Sequence, residues 1–141
     1  MRFAPRVMLR KSAESITRQD RERFILTRPR NIFRNSPHAF ATDALALAAA
    51  KRVIAKGFDA ATDSVLRVFF YLPFEHAEDL SAQHDAVRLI TATGDANYIK
   101  FAALHRDIIV RFGRFPHRNA ILGRASTPEE LAFLAEGGFA G

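Results

Sequence analysis

The chain of 141 residues contains no cysteine and no tryptophan. Without thiols there is no disulfide, no thiolate metal site and no cysteine nucleophile, and the expected setting is the cytoplasm. No apolar run approaches the roughly 20 residues that a membrane-spanning helix needs. The first eleven residues alternate arginine with short apolar stretches, so a secretory leader is not expected. No stretch sustains apolar/polar alternation, and no strand is expected. Glycine patterns for phosphate or dinucleotide binding are missing, as is a Gly-x-Ser-x-Gly turn. His105-Arg106-Asp107 imitates a kinase catalytic loop, but Phe112 stands where that loop needs asparagine.

What is present suits one globular domain. Apolar residues make up 48% of the chain, enough for a real core at this length, and 13 of them are phenylalanine. The formal charge of +6 is unevenly spread. Residues 1–34 hold ten Lys or Arg against three acidic residues, and the rest is close to neutral. A basic arm suits phosphate backbones, but it lacks interleaved aromatics, and a solvated helix explains it more simply. Nucleic acid therefore ranks last among partners.

Local signals predict helices throughout. Ser12 to Leu26 reads as a helix of mixed charge, ended by Pro29. Arg30 to Arg34 forms a connector. Thr42 is expected to cap a helix over 43–56 whose alanine-rich run is strongly helix-forming, with Gly57 and Phe58 closing it. Thr62 is expected to cap a third helix carrying Val65, Val68, Phe69 and Leu72, stopped by Pro73. A fourth runs over 78–93 with Leu80, Val87 and Ile90 on one face, and Gly94 ends it. Asp95 caps a fifth, 96–112, ended by Gly113. Pro116 opens a short segment ending at Gly123. Thr127-Pro128-Glu129-Glu130 opens the last helix with a capping box. Short loops imply antiparallel helical hairpins in an all-α fold.

Several polar residues fall where apolar ones are expected. On the fifth helix Lys100, Asp107 and Arg111 share a solvent stripe. Opposite, among Tyr98, Phe101, Ile108, Ile109 and Phe112, lies His105, with Arg106 at the flank. A buried imidazole must find a hydrogen-bond partner or lose its charge. It serves as an acid or base, or more often as a satisfied core histidine. Gln83 and His76 join the apolar face of the fourth helix. Glu75, His76 and Asp79 gather after Pro73. His76 and Asp79 have spacing for a shared metal, but acids at a helix start account for them more simply, and no metal or cofactor is expected. Arg114, His117, Arg118, Asn119 and Arg124 cluster around Gly113 and Pro116, dense in donors for a carboxylate or phosphate. Arg30, Asn31 and Arg34 form a similar group. Tying loops to helix ends is the structural alternative for both.

Pro29-Arg30-Asn31-Ile32-Phe33-Arg34, Ala39-Phe40-Ala41-Thr42-Asp43, the stretch from Phe70 to Leu80, the stretch from Arg111 to Arg124, and Ser126-Thr127-Pro128-Glu129-Glu130 occur in that order. Together they resemble the bacterial domain-of-unknown-function 924 family. The resemblance spans about Pro29 to Phe133. It implies an all-helical fold similar to tetratricopeptide-repeat proteins, although the tryptophan signature of those repeats is missing, and it implies no known activity. It also implies a longer N-terminal part, with Asp-Gln-Phe where this chain has Leu26, Thr27 and Arg28. On this reading residues 1–28 are a basic segment foreign to the family, and 29–141 form the domain.

Two functions compete. One is a module that binds a protein or peptide between helices, with self-association as a variant. The other is an enzyme or binder of a small anionic ligand. Its catalytic candidates are Glu75, His76 and His105. Its ligand-holding candidates are Arg30, Asn31, Arg106, Arg114, His117, Arg118 and Asn119.

Overall fold

Side-chain bulk and cap chemistry decide where each helix starts, stops and faces. The computed structural model describes residues 35–140. The expected Ser12–Leu26 helix and the Arg30, Asn31 and Arg34 group lie outside the described residues. Among the described residues every regular element is helical. A 3-10 turn, Pro37–Phe40, leads into α1, Asp43–Ala55. Then come α2, Ser64–Arg67, a 3-10 turn at Val68–Phe70, and α3, Leu72–Glu75. Helices α4, Leu80–Thr91, and α5, Ala96–Phe112, follow. A 3-10 turn, Pro116–Arg118, runs into α6, Asn119–Leu122, and α7, Pro128–Ala135, comes last.

Helix α5 keeps its expected limits, α1 ends one residue early and α4 lies two residues inside its expected limits at each end, all set by cap chemistry. Asp95 accepts hydrogen bonds from the Asn97 and Tyr98 amides at 3.0 and 3.2 Å, which fixes the start of α5. Gly113, at φ +71°, ends it in a left-handed turn that a side chain would strain. Asp79 caps α4 through the Ala82 amide at 2.9 Å. Phe58 N–H reaches back to Val53 O at 3.1 Å, closing α1 as Gly57 and Phe58 suggest.

Three expectations need correcting. Thr42 makes no side-chain cap to α1. Thr62 donates backwards to Phe58 O at 2.8 Å, so Asp63 caps α2 through the Val65 amide instead. The expected third helix breaks at Val68–Phe70, and Pro73 opens α3 rather than ending a helix. In the first turn of a helix the missing N–H of proline costs nothing, since no carbonyl waits for it there.

Helices α4 and α5, joined by a short turn, pack side by side as the main contact of the fold. They meet through alanines: Ala82, Ala86 and Ala102 are essentially buried, as is Ile90. Leu80 and Phe101, which periodicity puts on the inner faces, are exposed instead. Val68, Tyr71 and Phe74 close this first cluster from the α2–α3 side. Each fully buried side chain of the Ile, Val or Phe type contributes about 1.5–3 kcal/mol. The Tyr71 hydroxyl donates to Asp59 at 2.7 Å. Burial, reinforced by that carboxylate, pushes the Tyr71 phenol up to about 12. A second cluster, Ile108, Ile109 and Phe115 with Phe112, Phe133 and Phe139 packed on it, joins the end of α5 to α7. Of the polar residues singled out above, His105 and His117 lie against this second cluster.

Candidate functional site

Glu75 is the last residue of α3 and His105 lies midway along α5. Both side chains are more than nine-tenths buried, and Glu75 Oε1 stands 3.0 Å from His105 Nδ1. The same Nδ1 lies 2.7 Å from the Phe101 carbonyl. A carbonyl only accepts, so Nδ1 carries a proton and donates. In the neutral ring the lone pair is then on Nε2, at the opposite edge. The second carboxylate oxygen, Glu75 Oε2, is buried with no hydrogen-bond partner. Gln83 fixes the turn beneath, donating to Glu75 O at 2.6 Å and Ala77 O at 2.8 Å. Aromatic rings wall the imidazole: Phe139 at 4.6 Å, Phe115 at 5.5 Å and His76 at 5.9 Å between centroids. His117 joins them, 5.3 Å from Phe139 and 5.8 Å from Phe115. Glu75, His76, His105 and His117 are thus brought into one group.

The arginines of the same region take another path. Arg114 forms a two-pronged pair with Glu130 at 2.8 and 2.9 Å and donates to Ala125 O at 2.7 Å. Asn119, fully buried, donates to Glu130 at 2.9 Å and to Ser126 at 3.1 Å. The Thr127 amide adds a fourth donor to the same carboxylate, completing the capping box of α7. The Arg114 hydrogen bond, with the Thr127 amide, outweighs burial and brings the Glu130 carboxyl from its ordinary 4.5 down to about 2. The same contact raises Arg114 above its ordinary value. Arg124 grips Glu78 at 2.7 and 2.9 Å, and the Phe115 amide donates to Glu78 at 2.8 Å. Burial pushes the Glu78 carboxyl up, but these donors together outweigh it and its pKa is lowered.

Arg118 is buried with its guanidinium over Phe40 and Phe115 at 4.7 and 4.5 Å, and it donates to His76 O at 2.9 Å. Planar, weakly hydrated and stacked, it fits a place that a lysine would not. Arg106 does not join the group. It pairs with its neighbour Asp107 at the surface, at 2.6 and 2.9 Å. Asp79 is occupied as the cap of α4. Among the described residues no group of three or more His, Asp or Glu is placed to hold a metal ion.

Sequence reasoning missed Glu78, Glu130, Phe115 and Phe139. Glu130 was visible as a capping residue but not as the partner of Arg114, sixteen positions away. Glu78 and Arg124 are 46 positions apart, and no local signal joins them. A cleft of about 330 Å³, which no sequence motif marks, lies elsewhere, between α2 and the start of α5. Its lining includes Val65, Val68, Phe69, Thr93, Asp95 and Tyr98. Val65 is 76% exposed and Phe69 51%. No described helix is long and apolar enough to cross a membrane.

Residues 25–138 match the family described as bacterial protein of unknown function, DUF924. The match extends a few residues beyond both limits read from the motifs. No curated protein matches the chain. The chain is similar to a solved protein of unknown function from Agrobacterium tumefaciens, at 53% sequence identity and a TM-score of 0.74. That match covers 77% of this chain but spans only 61% of the other protein's length. With the family matched across most of its sequence, and a helical neighbour of high identity alongside, the chain belongs to the DUF924 family of bacterial proteins of unknown function.

Proposed function

We propose that the chain is a non-enzymatic binding module that receives an apolar segment of another protein in the cleft between α2 and the start of α5. The observation that carries this reading is the exposure of Val65 and Phe69 at the cleft's edge, beside Leu66. Large apolar side chains grouped at the rim of a concavity mark a contact surface rather than ordinary scatter. Asp95 spends one oxygen on the α5 cap, and its charge stays at the rim. The partner segment is therefore apolar or aromatic with a basic residue beside it. Stacked helical hairpins, the architecture that the family resemblance suggests, commonly serve such grooves. In this reading residues 29–141 are the binding unit, 1–28 a separate basic segment, and the cytoplasm the setting.

The test is selection of displayed random peptides against the full chain. Selected sequences should be apolar with a basic residue, and Val65→Glu and Phe69→Glu should each weaken them by about tenfold or more, or ~1.4 kcal/mol. Peptides that bind both variants as well as the parent overturn the reading. Concentration-dependent self-association, abolished by the same variants, assigns the cleft to a second copy instead.

The anionic-ligand alternative has less support. Among the described candidates, Arg114 already closes on Glu130 and Arg106 on Asp107, Arg118 is stacked on Phe40 and Phe115, and Asn119 donates to Glu130, while Arg30 and Asn31 lie outside the described residues. Its remaining basis is the Glu75, His76, His105 and His117 group.

A further inference from the structure

The cleft between α2 and the start of α5 is apolar at its rim and carries negative charge. Asp95 lines it, and Asp63 immediately precedes its lining residue Ser64. Both are exposed helix caps. Asp63 accepts from the Val65 amide at 3.1 Å, and Asp95 uses one oxygen, Oδ1, on two amides. Neither forms an ion pair among the described residues. No Lys or Arg is among the described residues that line the cleft. A full negative charge on each carboxylate exceeds the half positive charge of a helix start. The complementary pattern exists in the chain itself. In the first eleven residues Phe3 and the run Val7-Met8-Leu9 alternate with Arg2, Arg6 and Arg10, and the first acidic residue is Glu14. These eleven residues lie outside the described part and ahead of residues 25–138, which match the family.

We propose that residues 2–11 of the chain cover the α2–α5 cleft in the same molecule, and that a partner segment binds by displacing them. The inference rests on the reading of that cleft as a contact surface, and adds its resident occupant and its regulation. Phe3 and the 7–9 run supply apolar side chains for Val65 and Phe69, and the arginines between them answer Asp95 and Asp63. Residues 12–34 are the tether. At 1.5 Å per residue even a wholly helical tether of that length spans roughly 35 Å, about the width of a small domain. An extended one reaches about twice as far, so the cleft is within range. Tethering sets an effective concentration on the order of 1 mM. A segment with a Kd of ~0.1 mM then fills the cleft about nine-tenths of the time. Weak pairing therefore suffices, which suits a cover that a partner removes.

The experiment uses the full chain. Because the chain has no cysteine, Lys11→Cys carries a single nitroxide, and 15N NMR intensities report what it approaches. Amides of Ser64 to Phe69 and Thr93 to Tyr98 should lose intensity, and Phe3→Glu with Val7→Glu should restore it. A synthetic peptide of residues 1–11 is the competing probe. It should bind the Phe3→Glu, Val7→Glu chain roughly tenfold more tightly than the parent, the inverse of the open fraction. Intensities that the double variant leaves unaltered, or equal peptide affinity for variant and parent, overturn the proposal. So does the same intensity loss between a nitroxide-bearing chain without 15N and a 15N chain without nitroxide, which gives the segment to a second copy. Should the double variant fail to fold, Val65→Glu on the cleft side must restore the Thr93 to Tyr98 intensities, or the proposal fails. Displayed peptides that still bind the cleft while these arms fail sink the cover alone. Intensity loss that the variants relieve, with no displayed peptide selected, upholds the cover and sinks the module for other proteins.

Discussion

Replacing His105 with phenylalanine preserves the packing against Phe115 and Phe139 but takes from Glu75 the imidazole 3.0 Å away. A buried carboxylate left without its partner costs about 3–5 kcal/mol. His105→Phe is therefore expected to lower the denaturant midpoint sharply, and the double variant with Glu75→Leu to recover most of the loss. Urea melts of the three proteins check this, and equal stability of His105→Phe and the parent would contradict it. Glu130 provides a pH test. Its folded pKa, about 2, lies below the ordinary 4.5, so its contribution is complete above 4.5 and fades as pH falls through that window towards 2. The stability gap between the parent and Glu130→Gln should be full at pH 7 and close progressively below pH 4.5. A gap that does not change with acid would show that the carboxylate's charge contributes nothing to it. Of these residues, the sequence announced His105 because helical periodicity set it among apolar neighbours. It could not announce Glu75 as the partner, because that pairing depends on how α3 lies against α5.

Elements were legible wherever a boundary is written in local chemistry. Helix α5 begins and ends where Asp95 and Gly113 say it should, and Thr127 with Glu130 marks the start of α7. Pro73 misled because a proline reads as a stop or a start according to which carbonyls precede it, and that depends on the chain breaking at Val68–Phe70. Thr62 misled because its hydroxyl had a competing acceptor, Phe58 O, four residues back. The cap of α7 supports a measurable claim. Thr127→Ala removes the hydroxyl that accepts the Glu130 amide at 3.2 Å, and caps of this type contribute about 1 kcal/mol. Since Glu130 also anchors Arg114 and Asn119, the loss is expected at the upper end, near 2 kcal/mol, while Thr127→Ser stays close to the parent. Thermal melts of both variants decide it. A Thr127→Ala protein as stable as the parent would mean that Glu130 holds its place without the cap.

At the scale of the molecule, α5 contributes to both candidate regions. His105, midway along it, meets Glu75 of α3, and Tyr98 near its start lines the cleft with Val65 and Phe69. The sequence carried the all-helical class and the polar intruders. It did not carry the pairing of arginines with distant glutamates, which changes the meaning of the whole cluster. Arg114, His117, Arg118, Asn119 and Arg124 looked like an open donor set, yet Arg114, Asn119 and Arg124 bind the chain's own acids and Arg118 binds a carbonyl and two aromatic faces. Exposed apolar side chains that border a concavity are found at the cleft, in Val65 and Phe69. The most direct measurement of its role is a 15N NMR titration of the full chain with the tightest peptide from the display selection. Amide shifts should concentrate at Ser64 to Phe69 and Thr93 to Tyr98. Shifts centred on His105, Arg114 and Arg118 instead, with the cleft silent, would contradict the binding-module account.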